Sequence, residues 1–262
     1  MKTFTKQELD KILDSHKLWL SSNGKKGERA DLSNADLRNV NLSKVDLHRV
    51  NLSNADLSNA NLRYADLSNA DLSNTNLSKA NLSYANLDSA NLNSSKLNSA
   101  YLFFASLSDA NLSNADLSFA RFGSAYLSKA NLYNANLRAA NLRDTKLDSA
   151  NLNFANLCSA DLDSANLSFA KLDSADLRSS NLHFAKLISA DLRYAYLSNA
   201  NLSDAYLISS TLISASLSNA NLSSADLRNA DFSYADLSFA NLSNANLDGA
   251  KLYSADLDFA EF

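Results

Sequence analysis

From residue 30 to residue 262 the chain repeats every five residues without a slip of register. The unit centres fall at residues 32, 37, 42 and onward to 262, which makes 47 units. Forty-four centres are Leu, and Phe122, Phe232 and Phe262 fill the rest. Two residues before each centre stands a small residue. It is Ala in 39 units; the exceptions are Val40, Val45, Val50, Thr75, Ser95, Thr145, Ser180 and Ser210. Asp or Asn lies between the two in 33 units, and the last two positions are mostly polar and rich in Ser.

This period excludes the two ordinary elements. On a helix, about 100° per residue turns a five-residue step by roughly 140°, so the leucines spray around the axis. On a flat strand the side chains alternate with period two, so successive leucines point to opposite faces. Within one unit the alternation does work: Ala and Leu share a face, and Asp or Asn looks away. The two polar residues must then turn the chain so that the next Ala and Leu face inward again. Repeated short strands and corners wound around their own core make an all-β solenoid.

Composition agrees. There is no proline and there are only four glycines, against an ordinary proline usage of about 5%. A mixed fold with many distinct loops would need both. One cysteine rules out a disulfide framework and a cysteine zinc cluster. The net charge of -4 does not suggest a general nucleic-acid binder.

The outward positions carry a longer period of 20. Asn holds the middle position at Asn41, Asn61, Asn81, Asn141, Asn181, Asn201, Asn221 and Asn241, eight of the 12 units in that column, against 11 of 35 elsewhere. Tyr64, Tyr84 and Phe104 also recur at 20, as do Ile188 and Ile208. The run Ala-Asp/Asn-Leu-Ser-X over residues 30 to 262 resembles the pentapeptide-repeat family. That resemblance implies a right-handed, four-sided β-helix with Leu or Phe and Ala pointing inward. Four units per coil give nearly 12 coils, a rod roughly 55 to 60 Å long at about 4.8 Å between strands.

Residues 1–29 read as an N-terminal cap and connector, and 30–262 as the repeat domain. Thr5-Lys6-Gln7-Glu8 fits a capping box. Leu9, Ile12, Leu13, His16, Trp19 and Leu20 follow at helical spacing, predicting a helix over about 6–22 with Gly24 as its stop. Its apolar face would lie over the first coil, where Val40, Val45 and Val50 replace Ala. The other end stops in register at Phe262, with Phe259 beside it, and exposed solenoid ends invite association. Some members of the resembled family dimerise there, which implies a tail-to-tail homodimer.

No catalytic, metal or cofactor constellation stands out. His16 belongs to the helix, and His48 and His183 fall several coils apart. His183, Asp163 and Arg143 share a column and read as a surface charge ladder. Cys158 lies between Arg138 and Arg178 in its column, with no base beside it. The glycines are too scattered for a phosphate loop. These features argue against an enzyme.

Outward patches are what remain. Tyr64, Tyr84 and Phe104, with Tyr101 and Phe103 nearby, form one candidate partner surface; Ile188, Ile208, Tyr206 and Ile213 form a second. Residues 201–262 hold eight acids, Asp236 and Asp256 among them, against Arg228 and Lys251. The leading expectation is a structural, interaction protein binding a protein partner, with no direct nucleic acid and no membrane. The alternative comes from the resemblance: some family members are DNA mimics that bind DNA gyrase and protect it. Many quinolone-resistance members carry loops, and no loop interrupts this repeat. With no secretory signal and Asn-Leu-Ser recurring throughout, a cytoplasmic, bacterial protein is the simplest reading.

Overall fold

The computed structural model describes residues 1–262. Each five-residue unit contributes one bridging residue, and each bridge is parallel and joins residues 20 apart, from Asp31–Asn51 through Asn241–Glu261. The ladder is regular: Leu32 N donates to Asn51 O at 2.7 Å and Asn51 N to Ala30 O at 3.2 Å. Evenly spaced bonds of this kind mark parallel pairing. The result is a β-helical solenoid in which one coil consumes 20 residues.

Every corner is a tight turn. The small residue of each unit donates back to the preceding Leu carbonyl, as Ala60 N does to Leu57 O at 3.0 Å. The residue just before it has positive φ at every corner from Asn34 (58°) to Phe259 (59°). That bond with a positive φ at the third position is the type II pattern, which ordinarily calls for Gly or Asn. Here only Gly249 is a glycine, while Tyr64, Phe104, Lys79 and Ala139 adopt the same conformation. The corners that sequence assigns to ordinary residues are thus left-handed at every turn. Their backbone N–H groups also bond to the next coil, as Asn59 N does to Ser78 O at 3.0 Å, and this compensates for the conformational cost.

The interior is one continuous column of 80 buried apolar residues. Leu and Ala alternate along it, and Phe122 and Phe232 fit with no exposure. Where Ser or Thr replaces Ala, the hydroxyl finds a carbonyl. Thr75 Oγ1 donates to Leu52 O at 2.9 Å, and Ser95, Thr145, Ser180 and Ser210 each bond the Leu three residues before. Buried polar groups are tolerated on that condition.

At the N-terminal end, strand β1 (Lys2–Thr3) pairs in parallel with β2 (Ala35–Asp36). Sequence pattern does not reveal β1, because two residues carry no period. It covers part of the first open strand edge. Helix α1 (Lys6–Ser21) follows, with Thr5 as its N-cap and the reciprocal Thr5–Glu8 bonds formed. Its residues Leu9, Ile12 and Leu13 pack on the core with Phe4, Val40 and Val45. Gly27 is needed on the way out, because a Cβ there would lie 2.2 Å from Ser15 O. At the other end Leu247, Leu252 and Leu257 are only partly buried, and Phe259 and Phe262 are 76% and 68% exposed.

Candidate functional site

With the interior filled, any activity belongs to the outward side chains. These are organised by one repeated bonding scheme. The Asp or Asn of each unit accepts the N–H two residues on, as Asp56 Oδ1 does from Ser58 N at 2.9 Å. Most stacked Asn residues also donate to the residue 20 before them, as Asn51 Nδ2 does to Asp31 Oδ1 at 2.9 Å. An Asp can only accept. Where Asp36, Asp176, Asp191 and Asp226 occur, an Arg two residues on closes a bidentate pair at 2.6–2.8 Å. The Arg38 guanidinium holds Asp36 down to about 2.

The histidines and the cysteine are absorbed into this scheme. His48 Nδ1 lies 2.8 Å from Ser68 Oγ, whose proton goes to Asp66 Oδ1 at 2.6 Å. The imidazole is therefore the donor and does not activate the serine. The expected His183–Asp163–Arg143 ladder is corrected. Arg143 does bind Asp163 and lies 3.4 Å from Asp161, but His183 turns the other way, 2.9 Å from Ser203 Oγ and 3.7 Å from Asp204. Arg178 is held by Asp176 and so is not free for the half-buried Cys158, whose N–H donates to Asn156 Oδ1. No group of three or more His, Cys, Asp or Glu side chains is placed to hold a metal ion. A groove of about 530 Å³ lies between α1 and the first coils, lined by Asp10, Asp14, Lys17, Lys44 and Asp46 among others.

Tyr64, Tyr84 and Phe104 form a continuous stack, with ring centroids 4.9 and 5.2 Å apart. All three are corner residues with positive φ and are 42–48% exposed. Arg63 sits over Tyr64 and Tyr84 at 4.9 and 5.3 Å, and Arg121 over Tyr101 at 5.1 Å. Phe103 lies against Gly123, where a Cβ would meet its ring at 3.3 Å. The second apolar group is less open: Ile188, Ile208 and Ile213 are half-buried, and only Tyr206 is well exposed, at 40%.

Of the acids, Asp226 is paired with Arg228, and Asp231 lies 3.4 Å from Lys251. Asp236 accepts from Ser238 and Asp256 from Asp258 N, so both also serve as turn acceptors. Asp236 and Asp256 share a column with Tyr196 and Ser216, with Asp258 beside them and no cation between. Phe259 stacks on Phe239 at 5.0 Å. Sequence reading passed over one more feature: Phe154, Tyr194 and Tyr234 occupy one corner column at a period of 40, with serines between. Its 40-residue spacing leaves no mark at the 20-residue period.

Filled core, paired corners and ordered outward columns define a β-helical repeat scaffold. The model of the family described as pentapeptide repeats matches residues 28–99, 105–178 and 180–262. The chain belongs to the pentapeptide-repeat family. No curated protein matches it. Among solved structures it is similar to HetL of the cyanobacterium Nostoc, a pentapeptide repeat protein involved in heterocyst differentiation regulation. That match has 34% identity over 86% of this chain and 91% of HetL, with a TM-score of 0.35. Rfr23 of Cyanothece is 34% identical over 39% of this chain and 63% of its own, at a TM-score of 0.31. Full-length QnrB1, a plasmid-mediated fluoroquinolone resistance protein, is 19% identical over 81% and 91%, at a TM-score of 0.33. No helix is long and apolar enough to cross a membrane.

Proposed function

We propose that this protein is a non-enzymatic interaction scaffold of the bacterial cytoplasm. It is a right-handed, four-sided rod of nearly 12 coils over residues 30–262, with residues 1–29 as its cap. Its columns bind a protein partner. The stack of Tyr64, Tyr84 and Phe104, backed by Arg63, carries this reading. Exposed aromatics that hold left-handed corners, where Asn or Ser suffices elsewhere, are costly to keep, and contiguous apolar surface marks interaction sites. A photo-crosslinking residue at position 84 should give one defined protein adduct in the source cell, lost on Tyr64→Ser plus Phe104→Ser. No adduct in vivo would count against the scaffold.

A second reading is the topoisomerase-binding DNA mimic, favoured by the cation-free face of Asp236, Asp256 and Asp258. Purified protein should then inhibit gyrase supercoiling or protect it from a quinolone, and Asp236→Asn plus Asp256→Asn should weaken the effect. Asn keeps the turn acceptor and removes only the charge. No inhibition and no protection removes the mimic. The exposed Phe259 and Phe262 are the proposed seat of a tail-to-tail second copy, which a monomeric mass by light scattering would refute.

A further inference from the structure

Residues 59–64, 79–84, 99–104 and 119–124 form one side of four successive coils. This stretch holds Arg63, Lys79 and Arg121 and no Asp or Glu. All three cations are exposed, and none has a carboxylate within ion-pair distance, whereas Arg38, Arg143, Arg178, Arg193 and Arg228 are each paired with an Asp. Acids on the adjoining sides are held by their own coils: Asp66 accepts from Ser68 and Asn86, and Asp116 from Ser118 N and Asn136. Arg121 is costly where it stands. It takes the position at which 33 of 47 units have Asp or Asn, whose oxygen accepts the turn N–H, as Asn81 Oδ1 does from Ser83 N at 3.1 Å. A guanidinium has donors only, so this turn gives up that bond, and no other unit has Arg there. The Arg121 guanidinium lies instead 5.1 Å from the ring of Tyr101. Arg63 lies against Tyr64 and Tyr84 and donates to the Tyr64 hydroxyl at 3.2 Å. The rings thus hold two unneutralised guanidiniums on one side of the rod.

Charge complementarity sets the occupant. Guanidiniums with no acid beside them call for an anion, and a carboxylate fits their fork with two bonds. The rings favour the same charge, because an aromatic edge is the positive part of its quadrupole. Tyr64, Tyr84 and Phe104 are stacked face to face along the rod, with interplanar angles of 17° and 13°, so edges meet a ligand lying alongside. Both faces of Tyr84 are covered. A single-stranded nucleic acid needs open ring faces for its bases, and its run of phosphates would carry on to the acids of the adjoining sides. Arg63 and Arg121 are three coils apart, about 14 Å along the rod. Carboxylates four residues apart on an extended peptide span roughly 13 Å. Between the two guanidiniums lie Tyr84, Tyr101, Phe103 and Phe104, an apolar stretch for the residues in between.

We propose that this side docks an acidic segment of the partner protein, with carboxylates on Arg63 and Arg121 and apolar side chains between them. The proposal rests on the scaffold reading and names the partner's chemistry. Its probe is a rhodamine-labelled Gly-Asp-Asp-Leu-Phe-Leu-Asp-Asp-Gly peptide, titrated by anisotropy against the full chain. The same peptide with Asn for Asp is the control, and a labelled ten-residue oligothymidylate is the nucleic-acid arm. Saturable binding of the acidic peptide alone is expected, weakening as salt is added. Arg121→Asn restores the turn acceptor, so its urea midpoint should equal or exceed wild type while affinity falls about tenfold or more. Arg63→Gln, which alters contacts with two exposed rings and one hydroxyl, should weaken binding likewise. Lys171→Gln, two units away around the coil, should leave it unchanged. Absence of saturable binding, equal binding of the Asn peptide or the oligothymidylate, or equal binding by both arginine variants would overturn the proposal. If the crosslinked adduct at position 84 forms undiminished in Arg63→Gln plus Arg121→Asn, the scaffold stands and only the acidic partner is lost.

Discussion

A single position in the repeat does three things at once. The Asp or Asn before each Leu faces outward, accepts the turn N–H two residues on, and stacks on its counterpart one coil away. Asn can donate and accept, so a column of Asn is self-sufficient. Asp cannot donate, and the chain supplies Arg beside it at Asp36, Asp176, Asp191 and Asp226. The carboxylates of all four, and of Asp231 bonded to Ser233, are lowered from an ordinary value of 3.8. A lowered carboxylate means that the unfolded chain binds protons first. The stabilisation these pairs give is therefore complete above 3.8 and disappears as pH falls toward the folded value, about 2 for Asp36. Urea midpoints measured between about pH 5 and pH 2 should fall through that window. Asp176→Asn plus Asp191→Asn should flatten the fall, and an unchanged acid limb would show the pairs to be inert. The inward/outward alternation was legible in the sequence because it follows from side-chain period alone. The left-handed corners were not, because Tyr, Lys and Phe do not announce positive φ. Neither was the turn of His183 toward Ser203, since both of its column neighbours offered partners.

The cap shows what an isolated element needs in order to stay on a solenoid. Helix α1 brings Leu9 and His16 into the interior, and His16 is fully buried. Its Nδ1 accepts from Ala30 N at 3.1 Å, while its Nε2 has no hydrogen-bond partner. Burial pushes the imidazole below its ordinary 6.5. Asp46 and the His48 backbone oppose the shift, and the charge of Arg29 adds to it. The sign is that of a base kept neutral by folding: below 6.5 the unfolded segment takes up the proton and the docked helix does not. The cap's contribution is whole above 6.5 and declines as pH drops beneath it. Trp19, the one tryptophan, stacks on His16 at 5.8 Å and reports directly. Its emission should shift between about pH 7 and pH 5 in the wild type and hold steady in His16→Gln, where the amide oxygen still accepts from Ala30. Equal profiles in the two proteins would show that His16 does not drive the change. The helix could be read from Thr5, Glu8 and the apolar spacing. Strand β1 could not, since what makes it a strand is the free edge at Ala35–Asp36.

For the molecule as a whole, the 20-residue coil separates the core from the surface. Nearly every unit puts Ala and Leu inside, so the interior barely distinguishes one side from another, and stability sums over neighbouring coils. The outward columns depend wholly on the count of units between their members. Deleting Ala175–Ser179 removes one complete unit, keeps Ala and Leu in step, and moves Tyr194 and Tyr234 off the corner column that holds Phe154. Deleting residues 155–174 instead removes one full coil, keeps them on that column, and brings Phe154 onto the coil next to Tyr194. Both proteins should retain the far-UV spectrum and a cooperative melt close to wild type, because only one unit or one coil of the core is gone. A five-residue deletion that unfolds the rod while the 20-residue deletion does not would mean that the four sides are not interchangeable, and that the core carries a period the leucines do not show.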